Sequence, residues 1–257
     1  MSVVISSNSH VPESTHWYTQ DGLPKYTVIG KNGKTRNTTL KDAREKKLLP
    51  SVTSIIKCAA CPGLDIWKQQ QVLLSALTLT RDPFESEADF IKRVLKDSKE
   101  TGRKAAERGT AIHTAAEGFY NGLGINQYPE HITGLKNALN ASYGATDWIA
   151  EKSFGAKLGF GGKTDLCAPN VVIDIKTKEF DADNLPEGFD EHCMQLAAYR
   201  VGLGMPNAKC GNAFISVTNP GLVHVVEWAE SDIQRGWNMF NSLLDFWYAK
   251  SGLSREA

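Results

Sequence analysis

The 257-residue chain is 41% hydrophobic and 23% charged, an ordinary globular balance that excludes disordered, collagen-like and coiled-coil classes. Its 29 Lys and Arg residues match 29 Asp and Glu, which excludes a polycationic coat for nucleic acid but leaves room for a local basic groove. No apolar run approaches the ~20 residues that span a bilayer. The opening MSVVISSNSH lacks a charged region followed by an apolar one, so a signal-free, intracellular and cytoplasmic protein with no membrane partner is expected. The odd, scattered set Cys58, Cys61, Cys167, Cys193 and Cys210 is expected as reduced thiols.

Residues 1–50 read as irregular apart from a hairpin, with Tyr26–Ile29 as one strand and Asn32-Gly33 as a turn signal. Ser51 caps a short helix over Val52–Lys57. A longer helix over Asp65–Leu79 places Trp67, Leu73, Leu74 and Leu77 as buried positions, and another covers Ser86–Lys99. Gly102 separates that helix from Lys104–Tyr120, which stops at Asn121-Gly122. A shorter helix follows near Ile132–Ser142.

The pattern then changes. Strands are expected over Trp148–Ala156, Gly161–Ala168, Val171–Lys178, Cys210–Thr218 and Leu222–Trp228, with a helix over Phe189–Leu203 between the third and fourth. A last helix, Ser231–Tyr248, is capped by Ser231 and carries a stripe of Ile233, Trp237, Phe240, Leu244 and Trp247. The fold class is α/β with a mixed sheet. Residues 1–100 form a mostly helical N-terminal extension and 101–257 the core.

With Pro169-Asn170 as a two-residue turn, Ala168 faces Val171, Cys167 faces Val172, Leu166 faces Ile173 and Asp165 faces Asp174. The two aspartates then stand ~5 Å apart at Cβ. Lys176 shares the face of Asp174, while Ile173, Ile175 and Thr177 point the other way. Paired carboxylates on an apolar strand repel unless a cation joins them, and Mg²⁺, Mn²⁺ or Ca²⁺ would suit them. A solvated Asp–Asp–Lys cluster on a surface hairpin is the alternative. On the preceding helices His113 and Glu117 share a face at i and i+4, with small residues at Ala106, Gly109 and Thr110. Gln195 and Tyr199 repeat that spacing later in the chain. The spacing is not His-Glu-x-x-His, so a zinc protease has no support.

Together these residues resemble the PD-(D/E)xK nuclease superfamily and its RecB-type branch. Arg108-Gly-Thr-Ala-Ile-His113 is similar to the branch's helical histidine motif, and Gly162-Lys-Thr-Asp165 to its first-aspartate motif. Asp174-Ile-Lys-Thr177 is similar to the D/E-x-K strand, and Gln195-Leu-Ala-Ala-Tyr199 to the Q-x-x-x-Y helix. Thr164 stands where the superfamily's name has proline. Pro50-Ser-Val-Thr-Ser-Ile-Ile with Trp67 more loosely resembles the leading part of phage exonucleases and of the mitochondrial genome-maintenance exonuclease.

The resemblance implies a restriction-endonuclease-like αβββαβ core. It implies that His113, Asp165, Asp174 and the carbonyl of Ile175 hold Mg²⁺ or Mn²⁺, and that Lys176 helps activate water. Gln195 and Tyr199 would position Lys176, the water or the phosphate, and Glu151 is similar to an acid that many members carry on the preceding strand. Some relatives hold an iron–sulfur cluster; with only Cys193 and Cys210 late in the chain, none is expected here.

Seven basic residues lie within 92–108: Lys92, Arg93, Lys96, Lys99, Arg103, Lys104 and Arg108. Lys92, Lys96, Lys99 and Arg103, spaced four, three and four apart, form one helical face if the helices join, and Lys104 and Arg108 are the nearest to His113. Glu179, Asp181, Asp183, Glu187, Asp190 and Glu191 form an acidic loop that phosphate should avoid, which favours strand ends. The expected function is a metal-dependent DNA exonuclease on single strands or free ends, phage-encoded and acting in a bacterial host. Replication or recombination proteins are candidate partners. The alternatives are a structure- or sequence-specific endonuclease and a nuclease-like module that binds DNA without cutting.

Overall fold

The computed structural model describes residues 16–255, so the leader reading of the first ten residues lies outside it. A short strand β1 (Trp17–Tyr18) pairs with β4 (Leu49–Pro50), and the expected hairpin forms from β2 (Thr27–Ile29) and β3 (Thr35–Asn37). Between them α1 (Leu40–Lys46) starts on a reciprocal cap, with Thr39 accepting from the Asp42 N–H and Asp42 from the Thr39 N–H. α2 (Val52–Ile56) begins as read, the Ser51 hydroxyl accepting from the Ser54 N–H at 3.1 Å.

α3 (Pro62–Thr78) and α4 (Glu87–Asp97) pack on each other, and α4 passes at Ser98–Lys99 into α5 (Glu100–Gly118). The break falls before Gly102, not at it. Gly102 lies inside α5, where a Cβ would meet the Trp67 ring at an ordinary contact distance of 3.4 Å. α5 ends in a π-helical turn, Phe119–Leu123, before α6 (Pro129–Tyr143).

The sheet is β5 (Ile149–Ala156), β6 (Phe160–Ala168), β7 (Val171–Lys178), β8 (Lys209–Ser216) and β9 (Val223–Glu227), hydrogen-bonded in that order. Only the β7–β8 pair is parallel, because α7 (Asp190–Gly202) carries the chain across between them. α8 (Glu230–Ser251) closes the chain. The sequence α6-β5-β6-β7-α7-β8 thus follows the expected order of helix and strand, in a mixed α/β fold with a five-stranded mixed sheet.

Period-two alternation along β7 divides the core. Val171, Ile173 and Ile175 join Ile112 of α5 and Leu135 of α6 on one face, while Val172 joins Leu196 of α7 and Phe240 of α8 on the other. Each such fully buried side chain contributes about 1.5–3 kcal/mol over exposure. Trp17, Leu48, Val52 and Ile55 belong to the α7–α8 cluster, so residues 17–56 share a core with the sheet.

Two sequence expectations are corrected. Trp67, Leu73, Leu74 and Leu77 are exposed, at 39%, 63%, 54% and 84%, because among the described elements α3 packs mainly on α4. Ser231 does not cap α8: Ala229 holds that position and the helix starts one residue earlier. The stripe on α8 is otherwise as read, with Ile233, Phe240, Leu244 and Trp247 buried.

Candidate active site

The β6–β7 hairpin has the expected register through Ala168–Val171, Cys167–Val172 and Leu166–Ile173. The ladder ends there. The next rung would set Asp165 opposite Asp174, and instead the Asp165 carboxylate accepts the N–H of Ile175 at 2.7 Å. Two facing carboxylates repel, so the strands part and a side chain takes over the lost backbone bond. The β5–β6 ladder skips the same level: Ala150–Leu166 and Lys152–Thr164 pair, whereas Glu151 between them has φ +54°. A non-glycine residue there is held against its backbone preference, a strain of the kind that gathers at functional sites. By strand count Glu151, Asp165 and Asp174 lie on one level across three strands. The Glu151 carboxylate is engaged by Lys163.

Asp174 is 2% exposed and surrounded by donors. Its Oδ1 accepts from Lys176 Nζ at 3.0 Å and Gln195 Nε2 at 2.8 Å, and its Oδ2 from Asn212 Nδ2 at 2.8 Å. Burial holds the Asp174 carboxyl above the usual carboxylate range and the Asp165 charge adds to this, against the pull of Lys176. Lys176 Nζ also donates to Gln195 Oε1 at 3.1 Å. Since an ammonium only donates, that bond fixes the amide, leaving Gln195 Nε2 to serve Asp174 and, at 2.9 Å, the Tyr199 hydroxyl. Burial lowers the Lys176 pKa, but the Asp174 and Asp165 charges outweigh it and raise the net value, so the group stays an ammonium. Tyr199 is held protonated by burial and by the two aspartate charges.

α5 reaches this hairpin because Gly109 has no side chain; a Cβ there would lie 2.8 Å from Thr177 Oγ1. That approach brings His113 Nδ1 to 3.6 Å from Asp165 Oδ1, an ion-pair separation longer than a hydrogen bond. Burial depresses His113, but Asp165 and Asp174 outweigh it and raise its pKa above the ordinary value.

The structure therefore brings together Asp165, Asp174, Lys176, Gln195, Tyr199, His113 and the Ile175 backbone. It does not bring Lys104, whose nearest acid is Glu100 at 3.8 Å, on the far side of α5 from His113. Arg108 is exposed and faces α6, where it adds to the burial that lowers the pKa of His131. Lys92, Lys96, Lys99 and Arg103 do not make one helical face, since α4 and α5 are separate helices that break at Ser98–Lys99. Lys92 is bound to Asp89, Arg93 to Glu85, and Arg103 to Glu100 and Glu107.

Two residues of the site, Asn212 and His192, escaped the sequence reading. Asn212, fully buried, is the register partner of Asp174 on β8, and its Oδ1 accepts from Trp228 Nε1 at 2.8 Å. His192 lies one turn before Gln195, and burial, with Lys176 and Lys178 nearby, pushes its pKa down to about 4.

The donor set fits a hard divalent cation. Among the described residues no three His, Cys, Asp or Glu side chains form a ready-made cage. Mg²⁺ is commonly held by one or two carboxylates, with waters and substrate phosphate completing its shell. Asp165 and Asp174 supply two carboxylates with one neighbouring ammonium, and the 3.6 Å gap at His113 leaves an Asp165 oxygen open to a cation.

No family model matches the chain, and no curated protein matches it. Among solved structures, one from Eubacterium rectale, named only provisionally as an exonuclease, is similar at TM-score 0.39 and 12% identity, covering 57% of this chain and 68% of its own. The protein SSO0001 is similar at TM-score 0.29 and 16% identity, covering 70% of this chain and 86% of its own. Likeness of this size decides nothing about chemistry.

Proposed function

We propose that the chain is a metal-dependent deoxyribonuclease of the PD-(D/E)xK type, in its RecB-like branch with a restriction-endonuclease-like core. It hydrolyses phosphodiester bonds as an exonuclease on single strands or free ends. The observation that carries this reading is the Asp174–Lys176–Gln195–Tyr199 network beside Asp165: a buried acid, an ammonium and two hydrogen-bonding side chains at the parted end of a hairpin.

Asp165, Asp174, His113 and the Ile175 carbonyl hold Mg²⁺ or Mn²⁺. When bound, the ion supplies Lewis acidity at the phosphate and acidifies the attacking water. Lys176, held in place by Gln195, orients that water and offsets the negative charge that grows on phosphorus-bound oxygen. The water gives up one proton as its oxygen bonds to phosphorus, the ester P–O bond breaks, and the leaving oxygen takes up a proton, so that protons balance. Tyr199 and Gln195 supply hydrogen bonds to Lys176 or the phosphate. Glu151 is a positioning residue at the same level, through its pair with Lys163. Arg108, exposed and facing α6, is a candidate phosphate contact away from the catalytic row. The acidic loop from Glu179 to Glu187 limits passage on one side and favours ends, whereas Asp190 and Glu191, read with it, belong to α7, and Asp190 is paired with Arg235.

The test is cleavage of end-labelled linear single-stranded DNA and of a closed circle, with Mg²⁺, Mn²⁺ or chelator. Metal-dependent loss of the linear strand alone is expected. Opening of the circle would assign an endonuclease, and an intact strand under every metal would leave a binding module.

A further inference from the structure

An open groove of about 860 Å³ runs between the start of α3, α7 and α8, lined by Ala59, Pro62, Met194 and Leu243 among others. Two phenylalanines on its lining, Phe189 and Phe246, are 54% and 52% exposed. Each carries a lysine ammonium over its ring: Lys178 Nζ is 5.2 Å from the Phe189 centroid, and Lys250 Nζ is 5.8 Å from that of Phe246.

Phe189, under the Lys178 ammonium, links the groove to the catalytic row. Lys178 follows Lys176 by two residues on β7 and shares its face. The His192 ring stands 5.5 Å from Phe189 and 5.6 Å from Phe214, the β8 partner of Lys176. His192 Nδ1 accepts the Phe189 N–H at 3.2 Å, which fixes where that phenyl ring begins. Of the two carboxylates on the lining, Asp190 is neutralised by Arg235 at 2.9 Å, and Glu191 remains.

An apolar peptide would use the lining but not the two ammonium groups. An unpaired nucleic acid strand uses both, because every base has a face to stack on an aromatic ring and every phosphate is an anion for a lysine. We propose that this groove is the path of the unpaired strand. Phe189 stacks the base next to the scissile phosphate, Phe246 stacks one farther out, and Lys178 and Lys250 meet the intervening phosphates. This rests on the site being a nuclease centre.

The test is fluorescence anisotropy of a labelled single-stranded oligonucleotide and of a blunt duplex, in chelator, with the full chain and its Phe189→Ala, Phe246→Ala and Phe189→Trp variants. Both rings are exposed, so thermal melting should confirm that all variants fold. Each alanine variant is expected to bind the single strand at least about five-fold more weakly, with the duplex unchanged and Phe189→Trp retaining wild-type affinity. Unchanged single-strand binding in both alanine variants, or no binding by the wild type, would overturn the proposal. So would loss of self-association instead of strand binding. A wild type that binds the strand through these rings but never cuts with Mg²⁺ or Mn²⁺ would sink the nuclease reading alone; one that cuts while both alanine variants bind normally would sink the groove alone.

Discussion

Asp174 shows how few residues set the chemistry. A carboxylate almost without solvent is tolerable only because lysine, glutamine and asparagine donors surround it, and each is itself fixed by a further bond. His192 belongs to the same neighbourhood and gives a pH signature. It is neutral in the folded chain down to about 4, whereas in the unfolded chain it takes a proton near 6.5. The unfolded state therefore binds more protons between those values, and stability present above 6.5 is lost as pH falls toward 4. Replacing His192 by Gln should make the drop in melting temperature from pH 7 to 4.5 smaller; an identical drop in both proteins would contradict this. At this scale Asp165, Asp174 and Lys176 were legible from the hairpin count, whereas His113, Gln195 and Tyr199 stood out only through the motifs they resemble. Asn212 was not: it meets Asp174 through a parallel pairing 38 residues away, and a lone asparagine in an apolar strand does not reveal its partner. The positive φ of Glu151 leaves no mark in the sequence either.

Among elements, the contact between α5 and β7 decides whether His113 belongs to the site. Gly109 permits it, with only the rotatable Thr177 hydroxyl in the way of a Cβ. Gly109→Ala should be tolerated, since that hydroxyl can turn aside. Gly109→Leu should lift α5 from the strand, at a cost of about 1–3 kcal/mol, and reduce metal-dependent cleavage more than Ala does. Urea unfolding beside initial cleavage rates checks both; equal behaviour of Ala and Leu would show that the contact does not matter. The small residues around His113 signalled this approach in the sequence. The hairpin register was legible for a similar reason, because a two-residue turn fixes every rung after it. What the count could not show was the last rung, where charge repulsion overrides the ladder and Asp165 binds the Ile175 N–H.

At the scale of the whole molecule, the α7–α8 and α5–α6 layers cover the two faces of the sheet, and the site opens where β6 and β7 part. The α3–α4 pair stands largely outside those layers. Helical periodicity announced an apolar face on α3 and could not say whether anything covers it; Leu73 and Leu77 prove exposed. Leu73→Gln and Leu77→Gln should each change unfolding free energy by no more than about 0.5 kcal/mol, as exposed positions do, and losses of 2 kcal/mol or more in urea would restore the buried reading.

The most direct measurement is the cleavage rate of Lys176→Ala on linear single-stranded DNA with Mn²⁺, beside circular dichroism and strand binding of the same variant. The expected result is a folded protein that still binds the strand and cuts it at least about 100-fold more slowly than the wild type. Cleavage at the wild-type rate by that variant would contradict a centre built on Asp165, Asp174 and Lys176.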